Sequence, residues 1–438
     1  MDIKTNTKAL PDWWQRENQR RQTRILLLLV LLLALIGFFY YVSKLGVTGT
    51  VAGVPFDTTD YLAFVRKEKD GGSGVYVIRA DGTGLRRLTD PNDKSVKRAP
   101  VWTADGKSII YSSNRSDSQF RQLYILGEGE PQQLTYGKSN KDAPDVSPDG
   151  RQVAFLQQGA VKTVNINGTD PYQIMPVPRS GNEGAGDTAA SGDSLDPQSP
   201  FLAASFASDS HGIAGVQELG SEIPVTPMGV ATIEPGNQVA RALPSGANDA
   251  YFLDTGREVS VAWEPNGQRL ACAFDEAQIN DPTHGPQTVS GIRIWSWKAP
   301  NKPPIPQAAL VAFGQSIEPK NIAWSPDGKK LAFEVWQLKP GGERVSLGIM
   351  TMEISPQAIA VRPQDVGEVA KHCMIPATPQ GQPENPRWSP DGGRLLYDMT
   401  RPDGGHDLWV VNSDATNPIN LTKGIGDNIE AAWSPARH

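Results

Sequence analysis

Trp324-Ser325-Pro326-Asp327-Gly328, followed two residues later by Leu331-Ala332-Phe333-Glu334, is the stretch whose reading decides the fold. Pro and Asp early and Gly late favour a tight turn, with the Asp side chain able to accept bonds from nearby backbone amides. The apolar run after it is short enough for a strand that packs between neighbouring sheets, and the Trp before it supplies much of the buried area. The same order returns as Trp388 to Gly392 before Leu395-Leu396-Tyr397, and as Trp263-Glu264-Pro265-Asn266-Gly267 before Leu270-Ala271-Cys272. Upstream it reads Val101-Trp102-Thr103-Ala104-Asp105-Gly106 before Ile109-Ile110-Tyr111, and Val146-Ser147-Pro148-Asp149-Gly150 before Val153-Ala154-Phe155. A further copy, Trp433-Ser434-Pro435, stands at the C-terminus. Units recurring every ~40–50 residues, each too small to bury its own apolar face, stack on one another.

Two more strands follow the turn in the well-formed units. One example is Gly74 to Ile78, the turn Ala80 to Gly84, then Leu85 to Thr89; another is Asp407 to Asn412, Ser413 to Thr416, then Pro418 to Thr422. Four strands per unit make a propeller blade. Phe206-Ala207-Ser208-Asp209-Ser210 before Ile213-Ala214-Gly215-Val216 is a degenerate copy where the period requires one. Tyr61-Leu62-Ala63-Phe64-Val65 is a second strand lacking its first, and Ala432-Trp433-Ser434-Pro435 a first strand lacking its second. They are expected to share a sheet, joining the ends of the domain and removing an exposed edge. The expectation is an all-β, seven-bladed propeller of four-stranded blades, or a six-bladed one if residues 200–258 form an irregular insertion. Arg179 to Gln198 and Lys298 to Pro306 read as exposed, poorly ordered loops.

The run Tyr76-Val77-Ile78-Arg79-Ala80-Asp81-Gly82-Thr83-Gly84-Leu85-Arg86-Arg87-Leu88-Thr89, together with the repeated Trp-Ser-Pro-Asp-Gly, resembles the TolB-like, WD-like β-propeller repeat over residues 60–438. The resemblance implies the fold and is silent about activity, because such repeats serve as adaptors, periplasmic scaffolds and peptidase gating domains. In propeller-gated serine peptidases a hydrolase domain follows the blades; here the expectation is that the closing strand ends the chain at His438.

Residues 1–24 read as a cytoplasmic basic segment, 25–42 as a transmembrane helix, 43–59 as a linker and 60–438 as the propeller. Ile25 to Val42 are eighteen consecutive uncharged positions, about 27 Å of helix and close to a bilayer's hydrocarbon thickness. A signal peptide would have an apolar core of about 7–15 residues after a short basic start and before a small-residue cleavage site. Here the leading segment is 24 residues long, and Phe38-Phe39-Tyr40-Tyr41 suits the membrane interface. Lys4, Lys8, Arg16, Arg20, Arg21 and Arg24 outnumber Asp2, Asp12 and Glu17, while Lys44 alone follows closely, so the propeller is expected outside the cytoplasm. Trp13 and Trp14 with the neighbouring arginines read as headgroup anchors. The formal charge of −6 disfavours a phosphate-backbone partner.

No nucleophile elbow, phosphate loop, dinucleotide fingerprint or zincin helix occurs in the sequence, and no cofactor is implied. His211, His284, His372, His406 and His438 lack metal-ligand spacing and fall in predicted turns. The Asp-Gly pairs at 81, 105 and 403 read as hairpin chemistry. Cys272 and Cys373 are too few for a disulfide framework and stand either as one bridge or as two thiols.

Loops entering the innermost strands gather at one end of a propeller's axis, so the positions before each Trp are the candidate binding residues: Arg98, Asp142, Asp145, Asn321, Asn385, Arg387 and Glu430. The competing reading is that they cap turns and hold water. The sequence thus points to a single-pass envelope protein whose extracytoplasmic propeller binds a protein, peptide or glycan without catalysis. Two alternatives remain: an accessory subunit of a larger membrane complex, and a propeller enzyme acting on a sugar or lactone.

Overall fold

In the computed structural model the described residues are 60–435, except 118, 176–200, 207–211, 218–227, 233–239, 243–256, 266, 282–284, 297–304, 315 and 355–365. The strands are β1 (Tyr61–Lys67), β2 (Ser73–Arg79), β3 (Arg86–Arg87); β4 (Lys97–Trp102), β5 (Ile109–Ser113), β6 (Gln122–Leu126), β7 (Gln132–Gln133); β8 (Asp142–Val146), β9 (Gln152–Gln157), β10 (Ala160–Asn165), β11 (Tyr172–Met175); β12 (Phe201–Phe206), β13 (Gly212–Gln217), β14 (Met228–Thr232), β15 (Ala240–Ala242). They continue as β16 (Arg257–Trp263), β17 (Arg269–Asp281), β18 (Gly285–Ser296), β19 (Ile305–Gly314); β20 (Ile317–Trp324), β21 (Lys330–Leu338), β22 (Arg344–Glu353), β23 (Ile375–Pro376); β24 (Gln382–Trp388), β25 (Arg394–Thr400), β26 (His406–Asn412), β27 (Ile419–Asn420); and β28 (Asp427–Trp433).

Each group between semicolons is one antiparallel sheet in sequence order, and β28 returns to β1, so the described strands form seven four-stranded sheets. The fold is an all-β propeller with four-stranded blades. In the β12–β15 sheet Phe206 and Ile213 are buried, and in the β16–β19 sheet so are Cys272, Phe274, Ile292 and Phe313. Phe206 opposes Ile213, so the degenerate copy forms a strand pair.

The predicted closure is present: Leu62 opposes Trp433 and Ala63 opposes Ala432. Alternation along β1 shows what closure does. Leu62 and Phe64 pack with Leu396, Leu408 and Val410 of the β24–β27 sheet, while Tyr61 and Ala63 pack with Trp102, Ile109 and Tyr111 of the β4–β7 sheet. Both faces of the strand are dry, hence its continuous apolar run. Elsewhere Ala271, Ile292 and Phe313 of one sheet meet Trp324, Phe333 and Met350 of the next. Each fully buried Leu or Phe contributes about 1.5–3 kcal/mol.

The turn has the expected Asp, plus a role for Ser. Ser325 Oγ donates to Asp327 Oδ1 at 2.7 Å and accepts Lys330 N at 2.8 Å, while Asp327 Oδ1 accepts Lys329 N at 3.1 Å. Gly328, at φ 68°, takes the left-handed position. Trp324 Nε1 then donates to Ala262 O at 2.8 Å, the carbonyl just before the preceding unit's Trp263. Trp388 repeats this onto Ala323 O, Trp433 onto Arg387 O and Trp102 onto Ala432 O, so the bond pattern runs through the closure. The tryptophans both bury area and pin each innermost strand to its predecessor.

Several expectations change. The strand expected at Leu85 to Thr89 is only Arg86–Arg87, and that at Pro418 to Thr422 only Ile419–Asn420. Strand β19 begins at Ile305, inside the segment read as a loop. A short helix, α1 (Val366–Lys371), has no counterpart in the sequence reading. The two cysteines form no disulfide, and Cys272 is buried. Among the described residues no helix is long and apolar enough to cross a membrane; segments 1–24, 25–42 and 43–59, and the loop Arg179 to Gln198, lie outside them.

Candidate functional site

The first strands β28, β4, β8, β12, β16, β20 and β24 touch one another in that order, and Trp433 of β28 bonds back to Arg387 of β24, so they surround the axis. Five of them bend at one shared position, three residues before the Trp or its Val146 equivalent. Ala99, Ala143, Asn321, Asn385 and Glu430 have φ of 47°, 48°, 50°, 52° and 56°. The register of each strand against its neighbour slips there, as in a bulge. A left-handed conformation costs a non-glycine residue about 1–2 kcal/mol, so the surroundings must hold it. Pro100, Pro144 and Pro386 follow three of these residues, where a missing N–H leaves no donor unpaired in the broken ladder.

The preceding unit supplies hydrogen-bonding groups at or beside four of the five bends. Ala99 N donates to Glu430 Oε2 at 2.6 Å. Asn385 N donates to Glu334 Oε1 at 2.5 Å, and Asn321 Nδ2 donates to the same oxygen at 2.7 Å. Phe206 N donates to Asp145 Oδ2 at 2.8 Å, and Ile322 N to Ser260 Oγ at 3.3 Å. Ser112 Oγ donates to Lys141 O at 2.6 Å, beside the bend at Ala143.

All seven predicted residues lie on these first strands, in two arcs and an intervening stretch. Exposed Arg98 pairs with Glu430 at 3.0 Å. Asn321 Nδ2 reaches Asn385 Oδ1 at 3.1 Å, Asn385 Nδ2 donates to Asp398 Oδ2 at 3.0 Å, and Arg387 pairs with Asp398 at 3.2 Å. Asp142 and Asp145 belong to neither arc: Arg121 grips Asp142 with two bonds of 2.7 Å, and Asp145 serves the β12 strand. Capping, the competing reading, therefore accounts for much of what these side chains do, while Arg98 and Asn321 remain exposed.

The sequence reading missed Glu334 and Asp398, both buried. Their signal was the residue closing each apolar triplet after the turn: Tyr111-Ser112, Phe333-Glu334 and Tyr397-Asp398. Glu384, just before the bend at Asn385, is held above the usual carboxylate range by burial and by the neighbouring Glu334. His406 is not in a turn: it opens β26 with Nδ1 2.7 Å from Asp427 Oδ1. Among the described residues no three His, Cys, Asp or Glu side chains are placed to hold a metal ion. The Asp-Gly pairs behave as hairpins, with Asp81, Asp105 and Asp403 accepting the amides of Thr83, Lys107 and Gly405. What the face offers chemically is a set of donors and acceptors fixed in place by cross-unit bonds.

No family model matches the chain. It is 35% identical over 114 residues to an uncharacterized protein of Agrobacterium fabrum, covering 25% of this chain and 37% of that protein. Among solved structures, a prolyl endopeptidase superposes with a TM-score of 0.53 at 13% identity, covering 84% of this chain and 48% of that one. A puromycin-hydrolyzing peptidase of Mycobacterium tuberculosis gives 0.52 at 16% identity, covering 84% and 52%. TolB from Acinetobacter baumannii gives 0.45 at 14% identity, covering 87% and 68%. The chain spans about half the length of the two peptidases, and at these identities the likeness is one of fold, the TolB-like and WD-like propeller that the repeats resemble.

Proposed function

We propose that this protein is a membrane-anchored, extracytoplasmic seven-bladed propeller whose axial face binds a protein, peptide or glycan of the cell envelope without catalysing a reaction. The observation that carries the reading is the cross-unit bonding of the first strands. Glu430, Glu334 and Asp145 each spend a carboxyl oxygen on a backbone amide of the next unit, which fixes the face before any partner arrives. A rigid, polar, partly exposed ring suits recognition more than turnover. Seven blades are supported by the seven sheets and by the β1–β28 pairing; the anchor is supported by the uncharged run from Ile25 to Val42.

Proximity labelling from the propeller in its native cell tests this, comparing wild type with an Arg98→Ala, Asn321→Ala double variant. One set of envelope proteins labelled by wild type and at least fivefold less by the variant is the expected result; equal labelling by both removes the axial face from the proposal. Replacing residues 25–42 with an unrelated apolar helix separates a tether, which keeps the labelled set, from a span that packs in a larger complex.

A further inference from the structure

At the register position facing the bend, β20 sets Lys320 opposite Glu334, whereas β24 sets Glu384 opposite Asp398. Carboxyl groups directly opposed across a ladder repel. Glu334 stands close as well, because its Oε1 accepts the amide of Asn385, the residue next to Glu384. Three carboxyl groups therefore meet where two sheets join, and all three bear on Asn385: Glu334 holds its amide, Asp398 its side chain, and Glu384 precedes it. We propose that Glu384 is the proton-accepting member of this trio, and that its ionisation loosens the clamp on Asn385, making the junction between the β20–β23 and β24–β27 sheets a proton-sensitive part of the axial face.

The surrounding charges are accounted for strand by strand. On β24, Arg387 is engaged with Asp398, itself on β25. On β20 and β22, Lys320 and Arg344 are both taken by Glu318, at 3.1 and 2.8 Å. On β21, Glu334 also receives Trp336 Nε1 at 2.7 Å, and on β26, His406 is paired with Asp427. Glu384 itself accepts Thr400 Oγ1 at 3.1 Å. Burial and Glu334 raise its proton affinity, with His406 and Thr400 opposing. The sign follows: a carboxyl whose folded value lies above its unfolded value adds stability that is fully present below the unfolded value and lost as pH rises through the folded one.

The test is thermal unfolding of the full chain in detergent at pH 4 and pH 8, for wild type and Glu384→Gln. The variant is expected to match wild type at pH 4 and to melt about 1–3 °C higher at pH 8. A gain of the same size at both pH values, or a loss at pH 8, overturns the proposal. Should Glu384→Gln fail to fold, carbodiimide labelling of wild type at pH 6 decides. The protonated acid is the reactive form, so Glu384 should be modified at least threefold more than Asp427, which is likewise half-buried and in which burial is outweighed by hydrogen bonds from Lys67 and His406 that hold it below the ordinary aspartate value; equal modification overturns it. Neither readout involves a partner, so failure here leaves the binding proposal standing.

Discussion

The junction bridged by Arg98 and Glu430 and the junction bridged by Asn321 and Asn385 share one backbone bend and differ in what holds it. In the first, the acceptor for Ala99 N is Glu430, itself the bent residue of the preceding strand, with its carboxyl partly in water and a matching guanidinium beside it. In the second, the acceptor for Asn385 N is Glu334, on the second strand of the preceding unit and buried, with two further donors on the same carboxyl. The backbone requirement is the same in both: an amide turned out of the ladder takes its acceptor from the preceding sheet. The side chain meeting it is interchangeable, and its burial decides what its loss costs.

That contrast predicts its own largest effect. Glu334→Ala leaves the half-buried Asn385 amide and Trp336 indole N–H without their charged acceptor, and is expected to destabilise by about 2–3 kcal/mol in urea unfolding. Glu430→Ala, at a position water can reach, is expected to cost about 1 kcal/mol. Near-equal losses would show that burial does not separate the junctions. Trp324→Phe falls between them. It removes the bond to Ala262 O and leaves that carbonyl without its indole donor, for about 1–2 kcal/mol, and Trp102→Phe on the closing side should match it if the indole ladder is as continuous as its geometry.

How much of this was legible depends on the link of the chain considered. Trp-Ser-Pro-Asp-Gly is local chemistry: proline, carboxylate and glycine state a turn, and the alternation after them states a strand, so the propeller could be read directly. The pairing of Tyr61 to Val65 with the last strand was legible as an arithmetic remainder. The bends were not, because Ala99, Ala143 and Glu430 are poor residues for positive φ, and Ala99 is held there by a carboxyl from another sheet. Glu334 and Asp398 were hidden for the same reason: next to an apolar triplet, an acidic residue reads as the end of a strand. Of the candidate residues, Arg98, Asn321, Asn385 and Glu430 lie at or beside the bends and bond across the units, whereas Asp142, also beside a bend, is held by Arg121, a partner just before the preceding unit's third strand that no local pattern signals.

The smallest expected effect sharpens the comparison by acting where the two regions do not differ. Asp105 and Asp391 sit in equivalent turns, one beside each junction. The carboxyl of Asp391 is held below the ordinary aspartate value by Ser389 and by the amide of Gly393. For Asp105, burial pulls upward, but Thr103 and the amide of Lys107 outweigh it. A depressed carboxyl adds stability above its unfolded value and loses it as pH falls through the folded one, so both turns should weaken below about pH 4. Asp105→Asn and Asp391→Asn are each expected to flatten that acid limb slightly and by the same amount in thermal unfolding between pH 2.5 and 6. If one flattens it and the other does not, the turns are not equivalent, and the difference between the junctions begins in the turn before it reaches the bend.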